Sequence, residues 1–90
     1  MSGAEELKLE NVGKVTHFFT KISVAIVELT GTLSIGDKIL IKGPTTNLEQ
    51  TVDSMQIEHK NVQTAKKGDS IGLKVNERVR EGDIVYKILE

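Results

Sequence analysis

Apolar and polar positions alternate in three short stretches of the chain, and each stretch follows a Gly-Asp pair. The stretches are residues 38–42, 71–76 and 84–89, which follow the pairs at 36–37, 68–69 and 82–83. A period of two residues is typical of a β-strand, because successive side chains point to opposite faces of the sheet. Each stretch therefore predicts a strand that begins close after its Gly-Asp pair.

The Gly-Asp pairs themselves predict turns. Glycine adopts the positive φ angles that tight turns need, and an aspartate side chain can accept hydrogen bonds from its own nearby backbone. We interpret the three pairs as turns that precede strands rather than as an acidic site. Their unequal spacing along the chain argues against a tandem-repeat protein.

Other segments predict further strands. Residues 23–29 are β-branched and apolar on both faces, which is typical of a central strand covered on both sides. Residues 12–20 and 51–60 predict two more strands, and no segment forms a convincing amphipathic helix. About six or seven short strands favour an all-β fold, a small closed or nearly closed β-barrel without exposed edges. We assign residues 1–11 to a partly disordered tail and 12–90 to a single barrel domain.

The alternations also predict which side chains form the core. The predicted core residues are Val24, Ile26, Ile39, Ile41, Ile57, Ile71, Leu73, Val75, Ile84 and Ile88. In the segment His-Phe-Phe-Thr, neighbouring residues of a regular strand face opposite ways. We therefore expect one of Phe18 and Phe19 to pack inside and the other to point out, unless a bulge redirects them.

Composition narrows the class of protein without identifying a partner. Twelve lysines and arginines balance thirteen acidic residues, so any contact with nucleic acid requires a local basic patch. The chain has no cysteine, which excludes disulfides and thiolate metal sites and fits a reducing compartment. No signal peptide or membrane-spanning run is evident, so we expect a cytoplasmic protein without membrane contact.

The order of turns and strands resembles a known family. The segments "GTLSIGDKILIKGP" and "VDSMQIEHKNVQTAKKGDSIGLKV" are similar to domain 2 of translational GTPases such as elongation factor Tu. The resemblance extends from about Val12 to Ile88 and implies a barrel of the elongation-factor domain 2 type. No phosphate-binding G-x-x-x-x-G-K-[ST] loop is present, so the chain resembles a freestanding domain 2 without a GTPase domain.

The resemblance also allows a comparison of binding positions. The barrel of elongation factor Tu helps to hold the aminoacylated end of tRNA. At the corresponding positions the family has a carboxylate, a histidine, an arginine and an asparagine. This chain instead has, in the same order, Gln56, Glu58, His59 and Ser70. The resemblance thus implies the scaffold of the family without its pocket chemistry.

We predict a non-catalytic binding module with no metal and no cofactor. The family resemblance implies a translation- or RNA-associated accessory protein, with ribosomal RNA, tRNA or a translation-associated protein as partner. The alternative is a protein-docking or assembly barrel, or a non-catalytic subunit acting with a partner enzyme, with no RNA role. Similar barrels are appended to collagenase-like peptidases as docking modules, so both hypotheses stay open, as does the oligomeric state.

Two local features supply candidate residues for RNA or partner binding. An aromatic side chain of the first strand could stack on a base beside nearby cations, and three lysines with a histidine, at the two ends of one connection, could form a basic rim. The candidates are Lys14, His17, Phe18, Phe19, Lys21, His59, Lys60, Lys66 and Lys67. A solvated loop is the simpler interpretation of these lysines, because acidic residues bracket them and scattered surface lysines are normal. Neither histidine has a partner at metal-site spacing.

Overall fold

The computed structural model describes residues 8–89 and is all-β in this range, as the alternations predicted. The strands are β1 (Lys8–Phe19), β2 (Val24–Leu29), β3 (Leu33–Ser34), β4 (Lys38–Lys42), β5 (Asn47–Thr51), β6 (Met55–Ile57), β7 (Lys60–Asn61), β8 (Thr64–Ala65), β9 (Ser70–Lys74) and β10 (Ile84–Leu89). Within the described range, no helix is long and apolar enough to cross a membrane.

Eight of these strands form one antiparallel sheet in the order β5-β4-β10-β1-β2-β9-β6-β7, and β3 pairs with β8 separately. The prediction of six or seven strands is wrong, because strands of only two residues show no alternation. The prediction of a closed barrel is also wrong, because the described ladder has two edges, β5 and β7. β1 begins within the segment assigned to a tail, since Lys8–Asn11 pair with β10. Residues 1–7 of that tail lie outside the described residues.

The sheet nevertheless curves so strongly that a side chain of β5 forms hydrogen bonds at the end of β9. Gln50 of edge strand β5 is 7% exposed. Its Nε2 donates to the carbonyl oxygen of Lys74 at 3.0 Å, and its Oε1 accepts from the backbone N–H of Asn76 at 2.8 Å. β5 and β9 are separated by four strands in the sheet order, so these hydrogen bonds require strong curvature of the sheet.

The three Gly-Asp pairs form turns with the same local geometry. Each glycine has a φ between 93° and 95°, which l-residues with a side chain rarely adopt. Each aspartate carboxylate accepts a hydrogen bond of 2.8–2.9 Å from the backbone N–H three residues earlier; these donors are Ser34, Lys66 and Arg80. The pairs are therefore turns, and β4, β9 and β10 begin directly after them.

Each Gly-Asp turn is also tied to a second part of the sheet. The glycine N–H donates to the carbonyl of one partner residue, and the N–H of that partner donates to the aspartate carbonyl, at 2.7–2.9 Å. The partner residues of the three turns are Val52, Leu29 and Val15. The repeated Gly-Asp pair therefore has an architectural role, because it both reverses the chain and anchors the turn to a neighbouring segment.

The interior of the curled sheet holds one apolar cluster. Its members are Val12, Val15, Ala25, Val27, Leu29, Leu33, Ile39, Ile41, Leu48, Val52, Met55, Ala65, Ile71, Leu73, Val75, Val79 and Val85. Five predicted core residues belong to it: Ile39, Ile41, Ile71, Leu73 and Val75. The other five, Val24, Ile26, Ile57, Ile84 and Ile88, are only half-buried.

The errors in the predicted core come mainly from two strands. In β2 the core residues are Ala25 and Val27, so Val24 and Ile26 face the outer side of the sheet. In β10 Val85 is buried, and Ile84 is half-buried on the outer side. Both strands carry apolar residues on both faces, and alternation alone does not indicate which set is buried.

A β-bulge in β1 determines where its aromatic residues point. The register against β2 shifts between Val15 and His17, so Thr16 is an extra residue. As a result Val15 is buried and Phe18 packs against the core, while His17 and Phe19 are exposed. The two phenylalanines therefore point to opposite faces, as the sequence predicted.

Candidate functional site

A groove of about 260 Å³ lies on the outer face of the sheet, across β1, β2, β9 and β6. One wall is apolar and is formed by Phe19, Ile22, Val24 and Ile26. The opposite wall is polar and is formed by Gln56, Glu58 and His59, with Ser70, Ile71 and Gly72 between the walls. We call this feature the outer groove.

Two of the four side chains of the apolar wall are exposed to solvent. Phe19 is 44% exposed and Ile22 is 56% exposed, although both are large apolar side chains. Phe19 pairs with Val24 across the β1–β2 ladder, so the two side chains stand on the same face. The turn between these strands is held by Lys74, whose Nζ donates to the carbonyl of Ile22 at 3.0 Å.

The polar wall contains a turn with unusual backbone angles. Ile57 pairs with Lys60, so Glu58 and His59 form a two-residue connection between β6 and β7. Their φ angles are 52° and 67°, the pattern of a type I′ turn, for which Asn-Gly is the preferred sequence. Ser23, with a φ of 55°, lies between two residues of the apolar wall. All three described non-glycine residues with positive φ therefore border the outer groove.

Gly72 forms the floor of the outer groove. It pairs with Ile26 on one side and with Gln56 on the other. A Cβ at this position would meet nothing closer than 3.4 Å, and its φ is not positive. Each of the other glycines in the described range either has a positive φ or would bring a Cβ within 3.2 Å of a neighbour. The fold therefore does not require glycine at position 72.

The structure brings two of the nine predicted binding residues, Phe19 and His59, to opposite walls of the outer groove. His17 lies beside Phe19, with the centroids of the two rings 4.5 Å apart. Its Nδ1 is 3.1 Å from Oε2 of Glu81, an exposed pair.

The remaining candidates do not line the outer groove. Phe18 faces the other side of β1, where it borders a shallow depression with Arg78 and Arg80. Lys14 lies opposite Glu28 in the β1–β2 ladder. The other lysines lie in the turn before β2, in β7, and in the second Gly-Asp turn; they are Lys21, Lys60, Lys66 and Lys67.

Sequence reasoning missed most of the apolar wall and the floor. Val24 and Ile26 were assigned to the core, because the apolar character of both faces of β2 suggested a strand covered on both sides. The outer face is instead half-exposed. The available signal was Gly72, which occupies an outward position of an alternating strand where a polar side chain is usual.

Comparison with known proteins finds that the chain is similar to segments of proteins named as proteases. No family model matches it. The chain is 50% identical over 88 residues to the uncharacterized protease MJ0090 of Methanocaldococcus jannaschii, covering 97% of this chain and 22% of that protein. It is 41% identical over 88 residues to a collagenase of Porphyromonas gingivalis, covering 96% of this chain and 21% of that protein. These relatives are proteases, not translational GTPases. The chain spans about a fifth of their length.

Solved structures show the same fold. The C-terminal domain of a U32 peptidase from Geobacillus thermoleovorans is similar, with a TM-score of 0.81 and 19% identity, covering 84% of this chain and 96% of that one. A second structure of this domain has a TM-score of 0.81 and 20% identity, covering 87% and 91%. At this identity the likeness concerns the fold.

The relatives overturn the family assignment made from the sequence. The resemblance to elongation factor domain 2 is wrong, and so are the translation and RNA functions and the ribosomal and tRNA partners that it implied. The assignment rested on an order of turns and strands, which is a property of a fold. Unrelated functions share such folds, so the order does not discriminate between them.

Proposed function

We propose that this chain is a non-catalytic docking module that acts with a protease. The observation that carries the proposal is the alignment of nearly the whole chain with about a fifth of the length of two named proteases. A segment of this size corresponds to one part of such an enzyme rather than to the whole. The alternative of a subunit acting with a partner enzyme agrees with this alignment.

The side chains of the described residues support a non-catalytic role. Hydrolysis by a nucleophile requires a hydroxyl or thiol within hydrogen-bond reach of a base. In residues 8–89, the one side-chain hydrogen bond of a histidine ring is the contact of His17 with Glu81. His59 lies in the wall of the outer groove, and no group of metal-binding side chains occurs in this range.

The dimensions of the outer groove favour a protein partner. Sites for small molecules and cofactors usually have volumes of about 300–1,000 Å³ and enclose most of the ligand. The outer groove is smaller and open, and two of its apolar side chains are widely exposed. Protein interfaces often bury a single large side chain in such a recess. The proposal therefore assigns docking of a polypeptide to this face.

The proposal can be tested by exchanging segments in the relative from M. jannaschii. Deleting its matching segment should abolish or strongly reduce hydrolysis of a protein such as gelatin, while replacing the segment with this 90-residue chain should restore it. The isolated chain should not hydrolyse gelatin at all. Full activity of the deleted enzyme, or hydrolysis by the isolated chain, would contradict the proposal. A scrambled linker of equal length serves as the control for the deletion.

We also propose that the curled sheet forms a barrel-like unit. Gln50 connects β5 to the end of β9, although these two strands are not paired in the sheet. Replacing Gln50 with leucine leaves the carbonyl of Lys74 and the N–H of Asn76 without their partner. We expect the free energy of unfolding to fall by about 1–2 kcal/mol in urea titrations. Glu49→Leu on the same strand, at an exposed position, should change it by less than about 0.5 kcal/mol. Equal losses for both variants would exclude a bridging role.

A further inference from the structure

The apolar wall of the outer groove exposes surface that the fold does not need to expose. Phe19 and Ile22 do not belong to the buried cluster. Scattered apolar residues are normal on a surface, but these two lie side by side with Val24 and Ile26 in one recess. A contiguous apolar recess with a polar rim is typical of an interaction site.

The floor of the groove provides an independent observation. A glycine inside a strand weakens it and often marks a place where a ligand or another backbone approaches closely. The conformation and packing around Gly72 would accept a Cβ, so neither explains the glycine. A larger side chain at this position would project between Ile26 and Gln56, into the groove. The glycine therefore keeps open the space that a partner would occupy.

The polar wall adds a charge at a defined place. Glu58 is the one acidic residue among the residues that line the groove, and its turn holds it at the rim. Non-glycine residues with positive φ cost free energy, and such strain occurs preferentially at functional sites. An Asn-Gly turn would connect the same strands at lower cost. The unfavourable turn therefore keeps a carboxylate and an imidazole beside an apolar recess.

We propose that the outer groove binds a large apolar side chain of a polypeptide that carries a lysine or arginine next to it, with the cation paired to Glu58. This inference rests on the proposed docking function, because it assumes a polypeptide partner. The recess matches one side chain rather than a helix, and the rim carboxylate complements a positive charge.

The chain's own amino-terminal segment cannot be the occupant. Residues 1–7 join β1 at Lys8, whereas the groove lies at the other end of that strand, beside Phe19. Twelve strand residues span about 36 Å, at roughly 3.3 Å for each step. Seven fully extended residues reach only about 24 Å. Residues 1–7 are therefore too short to reach the groove, and the proposed occupant is a polypeptide segment outside these 90 residues.

The test uses the complete 90-residue chain, labelled with ¹⁵N, and three capped tetrapeptides with the sequences Gly-Phe-Arg-Gly, Gly-Phe-Glu-Gly and Gly-Ser-Arg-Gly. The Phe-Arg peptide should shift the amide resonances of Ser70 and Gly72 in a saturable way. The Phe-Glu peptide should bind about fivefold more weakly, because it places a like charge at Glu58. The Ser-Arg peptide should bind at least about tenfold more weakly, because it lacks the apolar side chain.

Variants of the chain test the same contacts from the other side. Gly72→Ala and Gly72→Val fill the floor in two steps and should weaken binding of the Phe-Arg peptide progressively, by about tenfold or more for valine. Lys42→Val, an exposed position on β4, introduces the same side chain away from the groove and should leave binding unchanged. The double variant Glu58→Asn, His59→Gly should resist urea better than the parent chain and yet bind the Phe-Arg peptide more weakly.

Four results would overturn the proposal. They are the absence of saturable shifts with the Phe-Arg peptide, equal affinity for the Phe-Glu peptide, unchanged binding by Gly72→Val, and shifts of groove resonances with protein concentration alone. The last result would mean that a second copy of the chain occupies the groove. None of these results depends on the segment exchange in the protease, so failure of this inference leaves the docking function to be decided by that exchange.

Discussion

Replacing Leu73 with alanine is expected to lower the free energy of unfolding by about 2–5 kcal/mol. Leu73 is completely buried and is the fourth of the five residues of β9, where it pairs with Ala25 of β2 and with Met55 of β6. Truncation removes apolar burial and leaves a cavity between three strands, and the surrounding sheet can only partly relax into it. Urea unfolding followed by circular dichroism measures the loss.

Ile26→Ala is the matched control for Leu73→Ala. It removes a similar amount of side chain from the same pair of strands, but Ile26 is half-buried and faces the outer groove. We expect it to cost clearly less, because part of its surface is already in contact with water. A loss below about 1 kcal/mol for Leu73→Ala, or an equal loss for Ile26→Ala, would contradict the assignment of faces.

Asp83→Ala should be the most damaging of the three equivalent substitutions in the Gly-Asp turns, with a loss of about 2–3 kcal/mol. The side chain of Asp83 is 1% exposed and its Oδ2 accepts from the N–H of Arg80 at 2.8 Å. Alanine removes the buried acceptor and leaves the N–H of Arg80 without its partner. The carboxylate also packs against Gly43 so closely that a Cβ there would collide with it.

The other Gly-Asp turns provide internal controls for this prediction. Asp69 makes the same hydrogen bond, to the N–H of Lys66 at 2.9 Å, but it is partly exposed, so water can replace the lost acceptor. We expect Asp69→Ala to cost about 1 kcal/mol or less. Asp37 is also partly exposed, and its Oδ2 has an additional contact, 3.5 Å from Nζ of Lys87. Equal losses at all three turns, in urea unfolding, would show that burial does not set the size of the effect.

Local chemistry made part of the fold predictable from the sequence. A Gly-Asp pair determines its own turn, because the glycine conformation and the carboxylate contact involve only four neighbouring residues. The strands after these turns followed from alternation. The buried face of β9 was also predictable, since its outward positions are polar or glycine, with Lys74 and Gly72 as examples.

Other features depend on relations that a single segment does not contain. The buried face of β2 depends on its register with β1 and β9, because both of its faces are apolar. The position of Phe19 depends on the bulge at Thr16, and no residue type in this segment indicates a bulge. The outer groove is formed by residues of four strands. Its polar wall includes a Glu-His turn, a sequence that the known preferences for this turn type do not predict.

The pairing of Lys8 with Leu89 has a mechanical consequence. These two residues lie at the same end of two neighbouring antiparallel strands. A pull applied at both residues would load the hydrogen bonds between β1 and β10 one after another, because these bonds lie perpendicular to the strands. The hydrogen bonds would therefore break in sequence at low force, and the first to break would lie about 36 Å along β1 from Phe19. Tension would therefore separate the strand ends while the outer groove was still intact.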